Sequence, residues 1–241
     1  MKRNFIIAAT MAAALLTSGA NAATITFSDS DFADTDWSAV EALDTSPDNS
    51  FSFSGARVPF LGNPGAYRQV LNQLVSTTAS SIGAGHFQTG AVFDPGQDGT
   101  FGTLEMSFDG ISLGADAGAM GYAVLIEQGG NFFQFGLGQV LDNAGWASFG
   151  TAGLVESDFI ALDGGILDLS NAGSAISIGI HVRNGTFGAP GDPSVNKGGF
   201  DNWSAAVHTV EVPAPGMLVL FGFGLVGLGL ARRRVKRSNA A

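Results

Sequence analysis

Between Ala23 and Glu211 the chain is a succession of short apolar runs broken by Gly, Asn, Asp and Pro. Thr24–Phe27, Phe51–Ser54 and Leu104–Phe108 alternate apolar and polar residues, the mark of strands with one buried face. Further strands are predicted over 121–127, 132–135, 146–149, 176–182 and 205–210. Tyr67–Val75 contains good helix formers and no breaker, but it also alternates, and we read it as a strand. Asn171–Ser174 reads as a short turn. Turn signals fall between the runs: Asn63-Pro64-Gly65, Asp94-Pro95-Gly96, Asp98-Gly99, Asp109-Gly110, Gly129-Gly130-Asn131, Asp163-Gly164-Gly165 and Asn184-Gly185. Strands at this spacing predict an all-β fold, one antiparallel β-sandwich or jelly roll over residues 23–211. No internal repeat points to a propeller or β-helix, and no linker divides the body.

Composition narrows the chemistry. The 241 residues include 35 Gly, 19 Phe, three His and no Cys. The missing cysteine excludes a disulfide scaffold, a thiol nucleophile, a zinc-thiolate site and Cys-ligated iron–sulfur clusters. Charge is segregated. All 21 acids lie between Asp29 and Glu211, where the basic residues are Arg57, Arg68, Arg183 and Lys197, so the body carries −17. Such a body repels phosphate backbones and argues against nucleic acid as a partner.

The two ends read as addresses. Lys2 and Arg3, an apolar run from Phe5 to Leu16, and Ala20-Asn21-Ala22 form a basic, apolar, small-x-small sequence. This predicts a secretory signal peptide over residues 1–22, cut by signal peptidase at Ala20-x-Ala22. At the other end stands Val212-Pro213-Ala214-Pro215-Gly216. Residues 213–231 carry no charge, and Arg232, Arg233, Arg234, Lys236 and Arg237 follow. A stretch of this length predicts a transmembrane helix. The basic end, 232–241, should stay cytoplasmic and the body outside.

A Pro-x-Pro motif, a short Gly/Leu-rich span and an Arg cluster in that order resemble the PEP-CTERM sorting signal of Gram-negative bacteria. The family pattern is Val-Pro-Glu-Pro, and this chain has Ala214 where Glu stands, as in the Val-Pro-Ala-Pro-Gly form. The resemblance covers residues 212–241. It implies an exosortase-type membrane protease as partner, with an inner-membrane-anchored precursor. Removal of the tail and release or attachment at the cell surface would follow, often in strains that make exopolysaccharide. In the body, Gly62–Arg68, Gly90–Pro95 and Gly198–Trp203 resemble a jelly-roll ectodomain found ahead of this tail, similar to concanavalin and laminin-G lectins. That likeness implies a glycan- or surface-associated fold.

Candidate chemistry in the body is sparse. No Glu-x-Asp-x-x-Glu, Gly-x-Ser-x-Gly or His-Glu-x-x-His occurs, and no enzyme is expected. Glu105 and Asp109 lie four apart and read as a strand acid and a turn acid. Asp29, Asp31, Asp34 and Asp36 follow the first strand, and Asp201 precedes the last. Jelly-roll ends often lie side by side, so Asp29 or Asp34 with Asp201 is a candidate calcium site of hard oxygen donors. Trp37, Trp146 and Trp203 are candidates for stacking on sugar rings, with Tyr67 beside them. The expected function is a non-enzymatic surface or extracellular-matrix protein that binds exopolysaccharide. The alternative is a secreted carbohydrate-active hydrolase with an unrecognised site.

Overall fold

The alternating runs pair into two antiparallel sheets in a computed structural model, which describes residues 22–45, 51–75, 78–116, 118–186 and 193–210. The predicted signal peptide up to residue 21, including Ala20, lies outside the described residues, as does the sorting tail from residue 211 onward; Ala22 is exposed. Twelve strands follow in chain order: β1 Thr24–Asp29, β2 Trp37–Asp44, β3 Phe51–Gly62, β4 Gly65–Leu74, β5 Ser80–Phe93, β6 Phe101–Ala115, β7 Ala119–Gln128, β8 Asn131–Leu141, β9 Ala147–Leu154, β10 Ile160–Ala161, β11 Ile176–Thr186 and β12 Ser194–Thr209. A four-residue helix, Pro95–Asp98, is capped by the Asp94 side chain.

The first sheet has the order β3-β4-β12-β6-β9, with β1 also paired to β12. The second has the order β10-β8-β7-β11-β5-β2. Most connections pass from one sheet to the other, which wraps the chain as a jelly-roll sandwich; β3–β4 and β7–β8 are hairpins within a sheet. Gly129 and Gly130 close the β7–β8 hairpin with φ of 60° and 85°, a backbone that residues with a Cβ adopt at a cost. Residues 23–209 form one compact unit. Its first and last strands lie side by side, with Thr24 opposite His208 and Asp29 opposite Trp203.

Alternation decides which side chains meet between the sheets. From β7 come Met120, Tyr122, Val124 and Ile126; from β11 Ile176, Ile178, Ile180 and Val182; from β12 Phe200, Trp203, Ala205 and Val207. Each fully buried side chain of this size stabilises the fold by about 1.5–3 kcal/mol. Tyr122 also bridges the layers, because its hydroxyl donates to the Ile111 carbonyl at 2.7 Å and the Gly199 carbonyl at 2.8 Å. A second, smaller apolar group of Ala42, Phe87 and Leu125, with Val40, Phe132 and Leu162, covers part of the outer face of the second sheet.

Two histidines are sealed in without charge. His86 faces the core beside Arg68, whose Nε lies 3.5 Å from its Nδ1. Burial, helped by the Arg68 charge, takes the His86 imidazole down to about 3. Arg68 itself is buried. It stands 3.5 Å from Asp34 and lies over the Trp37 ring at 5.6 Å, which compensates its charge.

Candidate functional site

The acids expected to share calcium are drawn into separate networks. Asp29 Oδ1 accepts from the backbone N–H of Asp31 and Phe32, at 2.8 and 3.0 Å, and its Oδ2 accepts from Trp37 Nε1 at 2.6 Å. Asp34 accepts from the Arg57 N–H at 2.8 Å and faces Arg68, while Asp31 pairs with Arg57. Asp201 accepts from the N–H groups of Asn63 and Asn202 and is buried under the β3–β4 hairpin. Burial raises its pKa, with the N–H donors acting the other way. These acids organise loops, and among the described residues no three His, Cys, Asp or Glu side chains stand together as metal ligands.

The aromatic candidates divide. Trp37 and Trp203 are 5% and 1% exposed and stack edge-on at 5.3 Å. They are core residues rather than a sugar platform, because both point between the sheets, where Phe32 and Phe200 join them. Trp146 is half-buried on the outer face of the first sheet, standing edge-on against Tyr67 at 5.5 Å.

Carboxylate pairs for hydrolysis are poorly placed. Glu105 and Asp109 share a strand face, but four residues of strand separate them by about 13 Å, beyond the roughly 5–10 Å that glycoside hydrolysis uses. Asp109 stands directly across from Asp201. Its oxygens are taken by Ser148 at 2.6 Å and Asn202 at 2.7 Å, and Asp201 is closed off from solvent.

The outer face of the second sheet holds a cleft. Along β11, the inward run Ile176, Ile178, Ile180 and Val182 sends Gly179, His181, Arg183 and Gly185 outward. The cleft measures about 520 Å³, and its lining includes Leu43, Ser81, Gly121, Gly138, Gln139 and Arg183. Its floor is glycine. A Cβ on Gly121 would lie 3.0 Å from Arg183 Cγ, and one on Gly136 would lie 3.8 Å from Arg183 Nη2. The arginine stem therefore lies flat across β7 and its guanidinium end reaches β8. Next to it, His181 Nδ1 pairs with Gln134 Oε1 at 2.9 Å. Burial, then the charge of Arg183, takes the His181 imidazole down to about 3. Beyond His181 the rings of Phe87 and Phe132 stack at 6.3 Å, with an interplanar angle of 27°.

None of this face was singled out as a site in the sequence. The signal that could have found it is the alternation of β11, combined with the scarcity of basic residues in the body. One of only four stands there on an outward position.

Residues 211–234 match the PEP-CTERM protein-sorting motif. The chain carries a PEP-CTERM sorting motif. The match spans the Val212–Gly216 segment and Arg232–Arg234 read from the sequence. Among the described residues no helix is long and apolar enough to cross a membrane, and the span expected at 213–231 lies outside them. No curated protein matches the chain. Among solved structures, the body is similar to a family 11 carbohydrate-binding module from Clostridium thermocellum in complex with a β-1,3-1,4-mixed-linked tetrasaccharide. That similarity has 16% identity and a TM-score of 0.43, and it covers 75% of this chain and 94% of that one. A xylan-binding domain from carbohydrate-binding module family 22 is similar at 12% identity and a TM-score of 0.43, covering 77% of this chain and 96% of that one.

Proposed function

We propose that this is an exported surface protein, processed at its PEP-CTERM tail by an exosortase, whose sandwich holds extracellular polysaccharide without cleaving it. The observation that carries the binding half is the outer face of the second sheet. There a glycine-lined cleft surrounds Arg183, and the stacked Phe87–Phe132 pair stands on the same face. Gly138 and Gly185, which Arg183 does not cover, line the cleft without side chains and let a sugar ring approach the strands there. Ser81, Gln139 and Arg183 supply directional polar groups, and the half-buried Phe132 ring on the same face offers an apolar side to a sugar. Against the hydrolase reading, Glu105 and Asp109 stand too far apart and Asp201 is closed off from solvent.

The test is retention of the secreted protein on purified exopolysaccharide from a producing strain, with reducing ends measured in parallel. Binding without new reducing ends is expected, and Phe132→Ala should weaken it by about 0.5–1.5 kcal/mol. Absence of binding, or release of reducing ends, overturns the reading.

The sorting half has its own test. Each Arg after residue 231 would cost about 2.5–3.5 kcal/mol at the bilayer centre, so transfer should stop before Arg232. Pro213 and Pro215 are poor helix formers, which suits cleavage by a protease in this segment. The intact mass of the surface form should lack the peptide beyond the Pro213–Pro215 region. Cells without the exosortase should keep the protein in the inner membrane. A full-length form as the sole surface species would make the span a permanent anchor.

A further inference from the structure

We infer that the glycan on the second sheet is anionic, and that Arg183 receives its negative group, a uronate carboxylate or a sulfate ester. The inference rests on the glycan-binding reading above and names its ligand class.

The argument starts from how the four cations of the body are used. Arg57 is paired with Asp31 and is drawn into the acidic loop that also holds Asp34. Arg68 is buried between the sheets, against Asp34 and the Trp37 ring. Lys197 lies on β12, in the first sheet. Arg183 stands in the cleft, and among the described residues no carboxylate pairs with it. No acid lines the cleft. Of the acids near this end of the sheet, Asp142 accepts from the Ser112 hydroxyl. In a body of −17 a cation without a partner in a depression is the exception to the charge pattern.

Its posture fits a ligand. Gly83, Gly121 and Gly136 leave the arginine lying on the sheet, since a Cβ on Gly83 would stand 3.0 Å from Arg183 Cβ and one on Gly121 3.0 Å from Cγ. A guanidinium held in this way loses little freedom on binding and presents a planar fork that matches a carboxylate or sulfate with two parallel hydrogen bonds. His181 is neutral there, so the positive charge of this part of the face is that of Arg183. The negative body does not forbid an anionic polymer. At about 0.15 M salt the screening length is ~8 Å, so distant acids are screened while a direct Arg183 contact persists.

The test uses the secreted protein and matched polymers: polygalacturonate and its carboxyl-reduced form, and dextran sulfate and dextran. Affinity electrophoresis or calorimetry reads the ratio of affinities within each pair. Preference for polygalacturonate assigns a carboxylate, and preference for dextran sulfate assigns a sulfate. Arg183→Gln should lower affinity for the preferred anionic polymer by about tenfold or more, and Arg183→Lys should restore part of it as a point charge without the fork. Lys197→Gln should leave it unchanged. Melting temperatures of the variants report whether the fold is kept. Equal affinity for charged and neutral partners, or an Arg183→Gln protein that keeps its preference, overturns the inference while leaving neutral-glycan binding at Phe132 standing. Failure to bind all four polymers and the native exopolysaccharide removes both.

Discussion

Lowering the pH from 7 to 5 is expected to remove about 4 kcal/mol of folding stability, through His86 and His181 together. Both imidazoles have folded pKa values of about 3, well under the ordinary 6.5. Burial is the larger cause in each, followed by the charge of Arg68 for His86 and of Arg183 for His181. With the folded value depressed, the unfolded chain binds more protons between about pH 3 and 6.5, so stability rises with pH through that window and is lost as pH falls through it. Each histidine contributes up to about 1.4 kcal/mol per pH unit once the pH is below the unfolded value. Asp201 acts in the opposite sense: its raised pKa favours the fold as the pH falls through that value towards the ordinary 3.8. Urea unfolding of the native protein at pH 7, 6 and 5 reads the slope directly. A flat profile would show that both imidazoles can be protonated in place, and half the slope that one of them can. His86→Gln should halve the slope whatever its effect on stability at pH 7.

The same buried histidines explain part of what the sequence hid. β5 reads Ser-Ser-Ile-Gly-Ala-Gly-His-Phe, which looks like a loop because it lacks the bulky alternation of a strand. Its Gly83 and Gly85 are small for a reason: the His181 ring fills the space above Gly83, and Leu125, Phe87 and Val40 fill that above Gly85. Asp109-Gly110 and Asn184-Gly185 signalled turns but lie within β6 and β11. Gly110 makes room for the rings of Phe149 and Tyr122, 2.9 and 3.0 Å from where its Cβ would be. Asn184 is buried, its amide donating to the Ala119 carbonyl at 3.0 Å and its oxygen accepting from Asn72 at 3.1 Å. Turn residues inside strands mark places where a neighbour or a buried hydrogen bond needs them, and single-sequence patterns do not reveal the neighbour. Where alternation was strong, as in β1, β3 and β6, the strands were readable. The sorting motif was readable because its meaning lies in the order of residues along the chain. The partners of the acid cluster were hidden for the converse reason: Arg57 and Arg68 are distant in sequence, and only the fold brings them to Asp31 and Asp34.

Phe200→Ala is expected to destabilise the sandwich by about 3–5 kcal/mol. Phe200 is fully buried, and its ring meets four others from both layers and the loop after β1. Trp37 lies at 5.2 Å, Phe32 at 5.7 Å, His86 at 5.9 Å and Phe108 at 6.5 Å. Truncation removes the transfer free energy of the ring and leaves a cavity that these rings cannot close without moving Trp37 off Arg68. The loss would be a large share of the roughly 5–15 kcal/mol by which a domain is stable. Phe60→Ala is the control, because that ring is 62% exposed on the β3–β4 hairpin and its truncation should change stability by less than about 0.5 kcal/mol. Urea titrations at pH 7 should show a lower midpoint for Phe200→Ala at an unchanged slope, since the area exposed on unfolding is nearly the same. Equal midpoints for the two variants would mean that the aromatic cluster between the sheets does not hold them together.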